Sequence, residues 1–120
     1  MKVAIIGSRT LRPKFMDILN ALNKLDDYKD PELIVSGGAT GTDTQAELYA
    51  KELKIPLRVI KPDYEKFGRK APLIRNKKIV DRVDAVVGFW DGISRGTKYT
   101  LDYANEQNKK VMIIKCDLPK

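Results

Sequence analysis

Ser36-Gly37-Gly38-Ala39-Thr40-Gly41-Thr42-Asp43 separates a short apolar run, Leu33 to Val35, from an amphipathic run, Ala46 to Leu53. This is the pattern of a strand, a turn and a helix, with three glycines and three hydroxyl side chains (Ser36, Thr40, Thr42) in the turn. Glycine lets backbone N–H groups approach an anion closely, and the start of the following helix adds partial positive charge. Two more turns of similar chemistry follow other apolar runs: Gly7-Ser8-Arg9-Thr10, and Gly92-Ile93-Ser94-Arg95-Gly96-Thr97. Three such turns, each after a strand, predict one shared phosphate-binding pocket.

Around these turns the pattern alternates. Strands are expected at Val3–Ile6, Leu33–Val35, Leu57–Ile60, Ala85–Phe89 and Val111–Ile114. Helices are expected at Pro13–Leu25, with Pro13 in the first turn, and at Asp43–Leu53, where Thr44 and Glu47 fit a capping box and Thr42 is the alternative cap. Two more fit Pro72–Val83 and Gly96–Gln107. The first helix carries Phe15, Ile18, Leu19, Leu22 and Leu25 on one stripe, and the second points Ala46, Tyr49, Ala50 and Leu53 inward. Asp26 to Pro31 reads as a loop, as does Lys61 to Ala71, whose length marks it as functional. The unbroken apolar run Ala85–Phe89 reads as a central strand covered on both faces. The predicted fold is α/β: a doubly wound sheet of five parallel strands with helices on both faces. Ligands of such sheets bind outside the carboxyl ends of the strands, the edge on which all three turns and the long loop fall.

The 120 residues fit one domain, and an apolar share of 42% fits a soluble globular protein. No apolar run approaches the ~20 residues of a membrane span, and Met1 to Gly7 turns polar too soon for a signal peptide. Cys116 is the only cysteine, so no internal disulfide forms; it reads as structural, and a cytoplasmic location is expected. The chain has no histidine, which excludes a His-based hydrolase triad and a histidine zinc site. No metal or cofactor is expected. The net charge is +7, and the segment Arg58 to Arg82, with nine basic and three acidic residues, carries +6 of it. Such a field favours a phosphorylated ligand or a nucleic acid, while lysines such as Lys77 and Lys78 fit an ordinary solvated face.

Several side chains are candidates for the pocket. Arg9 directly follows a strand and suits bidentate phosphate binding. Arg75 falls on the inward stripe of its helix, four residues before Ile79, and so needs a partner: a bound phosphate, Asp84 or Asp91. Asp43 suits a cap, a ribose contact or a catalytic water. Ser94 and Thr97 suit an anion contact or an N-cap. Tyr64, Phe67 and Trp90 suit base stacking or core packing.

Taken together, Val35-Ser36-Gly37-Gly38-Ala39-Thr40-Gly41-Thr42-Asp43, Gly7-Ser8-Arg9, Arg75-Asn76 and Asp84 resemble the SLOG superfamily, from Lys2 to about Lys115. That superfamily includes the DNA-processing protein DprA and the LOG phosphoribohydrolases, and the pattern is most similar to its small stand-alone YspA/YpsA-like members, often carried by phages and other mobile elements. The resemblance implies a Rossmann-like fold that binds a nucleotide or nucleotide-derived ligand as a sensor or sequestering protein. The ligand-binding set it implies is Gly7, Ser8, Arg9, Ser36, Gly37, Gly38, Thr40, Gly41, Thr42, Asp43, Arg75, Asn76, Trp90, Gly92, Ser94, Gly96 and Thr97. It also implies two alternatives. One is LOG-like hydrolysis of the N-glycosidic bond of a nucleoside monophosphate, with Arg75 and an acid such as Asp43 or Glu47 as catalytic groups, and Asp91 as a further carboxylate that would serve if it points into the pocket. The other is DprA-like binding of single-stranded DNA. LOG enzymes carry a glutamate where this chain has Thr100 and a lysine where it has Asn76, and a neutral hydroxyl neither stabilises an oxocarbenium ion nor activates water well. LOG proteins are dimers, so the resemblance extends to a homo-oligomer.

Overall fold

The computed structural model describes residues 1–26 and 29–116. Five parallel strands, β1 (Lys2–Gly7), β2 (Leu33–Ser36), β3 (Leu57–Val59), β4 (Ala85–Trp90) and β5 (Lys110–Lys115), form one sheet in the order β3-β2-β1-β4-β5. Helices α1 (Phe15–Leu25) and α2 (Thr42–Glu52) cover one face. The opposite face carries α4 (Ala71–Asp81) and α5 (Arg95–Glu106). A one-turn helix, α3 (Tyr64–Phe67), precedes α4. The predicted doubly wound α/β architecture is the observed one.

Strand alternation sorts the core into two layers. Val3 and Ile5 of β1, with Ala85, Val87 and Phe89 of β4, pack under Ile18, Leu22 and Leu25 of α1 and Ala46, Tyr49 and Ala50 of α2. Their strand neighbours Ala4, Ile6 and Val86 point the other way, against Ile79 and Val80 of α4 and Leu101 and Ala104 of α5. Every residue of Ala85–Phe89 is buried, as a strand flanked by β1 and β5 and sandwiched between helices requires. Burying each such branched side chain is worth roughly 1.5–3 kcal/mol.

The differences from expectation lie at element ends and in the segment Lys61–Ala71. Helix α1 starts at Phe15 rather than Pro13, because the Asp17 carboxylate accepts the Lys14 N–H at 2.8 Å and fixes the first turn there. Phe15 itself is 39% exposed and stacks on Tyr49 with ring centroids 4.8 Å apart. Leu53 ends α2 half-exposed instead of facing the core. The capping box of Thr44 and Glu47 does not form. Thr44 donates its hydroxyl to the Ala39 carbonyl at 3.1 Å, and Glu47 accepts the Ser36 hydroxyl at 3.1 Å, and α2 starts at Thr42, one residue before the expected Asp43. The expected loop Lys61–Ala71 is largely helical. Asp63 accepts the Lys66 N–H at 3.1 Å and caps α3, and a 3-10 turn at Gly68–Lys70 runs into α4. Within the loop expected at Asp26–Pro31, Asp27 and Tyr28 lie outside the described residues.

Candidate functional site at the carboxyl edge of the sheet

The chain moves outward from β1 in one direction through β2 and β3, then returns to add β4 and β5 on the other side. The resulting crevice lies beyond the carboxyl ends of β1 and β4, where neighbouring loops diverge. Parallel register sets Gly7 beside Phe89, so the Gly7–Thr10 turn leaves the sheet next to Asp91.

That central turn holds the other two. On one side the Ser8 carbonyl accepts the Thr42 hydroxyl at 3.0 Å, and a Cβ at Gly41 would collide with the Arg9 carbonyl, so only glycine lets the two loops touch. Gly41 also sits at φ +78°, a conformation that glycine adopts without strain. On the other side, the Ser8 hydroxyl accepts the Asp91 N–H at 3.3 Å, and Thr10 donates its hydroxyl to the Asp91 carboxylate at 3.5 Å.

The three turns enclose a cavity of about 370 Å³, near the lower end of the roughly 300–1,000 Å³ of small-molecule sites. Gly7, Ser8, Arg9, Gly37, Asp43, Arg75, Asn76, Ser94, Gly96 and Thr97 of the predicted set line it. Gly38 and Thr40 line a second cavity of about 420 Å³, together with Lys61, Pro62 and Tyr64.

The remaining predicted residues lie behind the walls. Ser36 is fully buried: its hydroxyl donates to Glu47 and accepts the Gly38 N–H at 3.3 Å, which shapes the turn from beneath. Gly41 and Thr42 form the joint to the central turn. Trp90 donates its indole N–H to the Ser94 carbonyl at 3.0 Å, so the ring braces the third turn and lines neither cavity. Gly92 packs against the Lys115 side chain, where a Cβ would stand 2.9 Å from Cε. Glu47, held by Ser36, lines neither cavity.

Arg75 is only 6% exposed. Its Nε donates to the Asn76 side chain at 2.7 Å and its Nη1 donates to the Gly37 carbonyl. The partners considered from the sequence are engaged elsewhere: Asp84 accepts the Lys2 N–H at 2.8 Å, and Asp91 accepts the N–H groups of Ile93 and Ser94 at 2.8 and 2.7 Å. Among the described residues neither Arg75 nor Arg9 forms an ion pair within 4.0 Å. Burial lowers the Arg75 pKa from its ordinary value; Asp43 and Tyr64 offset part of this, and the positive charge of Arg9 adds to the lowering. Two guanidiniums therefore repel each other across one cavity, an arrangement that an anion between them relieves.

Asp43 and Asp91 also line that cavity, and their environments differ. Burial raises the Asp43 carboxyl above its ordinary value, against the pull of the Ala39 N–H and the Arg75 guanidinium; nearby Glu47 adds to the rise. The N–H groups of Ser94 and Ile93 hold Asp91 below its ordinary value, with help from the Ser8 and Thr10 hydroxyls.

Asn76 and Thr100, the two positions that depart from the LOG pattern, are bonded to each other. The Asn76 amide donates to the Thr100 hydroxyl at 2.8 Å, and that hydroxyl donates on to the Gly96 carbonyl at 2.9 Å. A neutral hydrogen-bonded chain thus joins α4 to the start of α5 beside the cavity.

Sequence reasoning missed Thr10, Ala39, Pro72 and Leu73 as lining residues. Thr10 and Ala39 lie inside turns already singled out. Pro72 and Leu73 open α4 with no polar chemistry to mark them.

No family model and no curated protein matches this sequence. Among solved structures, DNA processing protein A from Helicobacter pylori, described with a single-stranded DNA binding mode, superimposes with a TM-score of 0.70 at 22% identity. The match covers 100% of this chain and 67% of that one. The chain shares that protein's fold. A Rossmann-like α/β architecture is therefore established, and the strand order matches the first five of the 3-2-1-4-5-6 series of doubly wound sheets. Among the described residues no helix is long and apolar enough to cross a membrane.

Proposed function

We propose that this chain is a single nucleotide-binding domain, akin to the small stand-alone YspA/YpsA-like proteins. It holds a nucleotide or nucleotide-derived phosphorylated ligand at the carboxyl edge of the sheet, as a cytoplasmic sensor or sequestering protein. The observation that carries this reading is the pair Arg9 and Arg75: two guanidiniums from different elements, facing one cavity without an ion-pair partner among the described residues. A phosphate supplies the missing charge. Backbone at Gly7 and Gly37 and the hydroxyls of Ser94 and Thr97 supply further polar contacts. Binding without turnover is favoured over glycosidic cleavage, because the Asn76–Thr100–Gly96 chain leaves no carboxylate at the position where LOG enzymes place one.

Thermal unfolding with a panel of nucleoside 5′-monophosphates tests the reading. A ligand at about 100 times its dissociation constant adds ~2.7 kcal/mol of stability. Arg9→Ala, which alters an exposed side chain, and Arg75→Gln are each expected to abolish the shift. Loss of the shift in neither variant contradicts the site, and release of free base from any nucleotide moves the protein to the enzyme reading.

A second reading, single-stranded DNA binding, draws support from the fold neighbour and from the +6 segment Arg58–Arg82, whose Lys61 lines the second cavity. Gel shift with single-stranded oligonucleotides over a salt series separates the two, since a strand held by phosphates weakens steeply as salt rises.

A further inference from the structure

The two cavities at the sheet edge have a common wall. Arg9, Gly37, Ala39 and Arg75 line both. The cations of the site therefore stand at the junction of two spaces of similar size, about 370 and 420 Å³. The two spaces differ in chemistry. The first is closed by Thr97, Asn76, Asp43 and Asp91, a set of hydrogen-bonding groups. The second is bounded by Lys61, Pro62 and the 55% exposed ring of Tyr64, which α3 presents just after the Asp63 cap. A cavity that ended at the phosphate would suit a terminal phosphomonoester. A cation pair with space on both sides suits a phosphate in the middle of a molecule.

We infer that the ligand is two-armed: two nucleoside-like groups joined through an internal phosphodiester or pyrophosphate, with the bridge on Arg9 and Arg75, one arm in the polar cavity and the other against Tyr64. This rests on the nucleotide reading above and narrows it. The polar cavity matches a ribose and base edge, whose hydroxyls and amino groups donate to Asp43 and Asp91. The Tyr64 side matches a base face, because an exposed aromatic ring stacks on any base without regard to its edge. Two sources carry this chemistry: a discrete dinucleotide-type molecule, and two adjacent residues of a single strand.

Calorimetry separates these possibilities. The probes are the nucleoside 5′-monophosphates, the corresponding dinucleoside monophosphates and dinucleoside pyrophosphates in all base combinations, and deoxythymidine oligomers of increasing length. The proteins are the wild type and Tyr64→Ala, which changes an exposed side chain. A two-armed probe is expected to bind at least ~10-fold more tightly than its better mononucleotide half, and Tyr64→Ala is expected to weaken that probe roughly 10-fold while leaving the mononucleotide unchanged. Affinity that levels off at two residues identifies the discrete molecule as the source, and affinity that keeps rising with length identifies the strand. Mononucleotides that bind as tightly as every two-armed probe, or two-armed binding indifferent to Tyr64→Ala, overturn the inference while the nucleotide reading stands. No binding by any probe overturns both.

Discussion

The turn entering α2 and the turn entering α5 share a vocabulary of glycines and hydroxyls, but they use their hydrogen bonds in opposite ways. The α5 turn is capped mainly from within, with the central turn adding only the Ser8 and Thr10 hydroxyls at Asp91. Asp91 accepts the N–H groups of Ile93 and Ser94, and the Ser94 hydroxyl accepts the Thr97 N–H at 3.4 Å as a side-chain N-cap. The α2 turn looks outward. Its N-cap, Gly41, offers no side chain; the Asp43 carboxylate reaches back to the Ala39 N–H at 3.1 Å, and the Gly37 carbonyl accepts from Arg75 on a helix 38 residues away. One turn is a local cap that happens to line a cavity. The other assembles the cavity from distant parts of the chain. Similar composition therefore says little about which turn organises the site; the partners of each backbone group decide it.

Substitution at the center of the α2 turn should break this contrast most severely. A Cβ at Gly37 would stand 2.6 Å from Arg75 Nη1 and 2.9 Å from Asp43 Oδ2, so Gly37→Val drives a wedge between the two buried charges. Loss of nucleotide-induced stabilisation is expected, with about 1–3 kcal/mol lost in denaturant unfolding, as for overpacking elsewhere. The matching change in the α5 turn, Gly96→Ala, meets nothing within 4 Å and should leave unfolding stability equal or slightly raised. Equal damage at both positions would erase the distinction.

A smaller effect should appear in the pH dependence of stability, with opposite signs in the two turns. The Asp43 pKa is raised above 3.8 in the fold, so the folded chain binds more protons and stability falls as pH rises from 3.8 through the folded value. Asp43→Asn should remove that fall and leave the unliganded protein more stable at neutral pH. The Asp91 pKa is lowered below 3.8, so its contribution is fully present above 3.8 and is lost as pH falls through the folded value. Asp91→Asn should therefore weaken the protein at neutral pH and flatten its acid limb. Urea titrations between acid and neutral pH measure both slopes, and slopes of the same sign would show that the two carboxylates do not differ as described.

Much of this was legible in the sequence because period and position carry it. The unbroken apolar run Ala85–Phe89 marks a strand covered on both faces, and helical spacing puts Arg75 on the inward stripe, where it is found. The helix starts were less legible. Lys14, Thr44 and Glu47 have local partners that depend on how the preceding turn folds. The division of the predicted site into lining and supporting residues was not legible at all. Thr42 and Ser36 have the same hydroxyl chemistry as Ser94 and Thr97, but only the tertiary contacts to Ser8 and Glu47 turn them away from the cavity. The second cavity stayed hidden because α3 lies inside a segment that reads as loop, and its cap, Asp63, acts over a single turn.

The convergence of Arg9 and Arg75 upon one bound phosphate can be observed most directly by NMR, following the arginine Nε–H resonances during titration with the nucleotide that gives the largest thermal shift. The Arg9 and Arg75 signals and the amides of Gly37 and Ala39 are expected to move together and saturate at one ligand per site. Saturable shifts confined to surface groups such as Lys77 and Lys98, with Arg75 unmoved, would contradict the account.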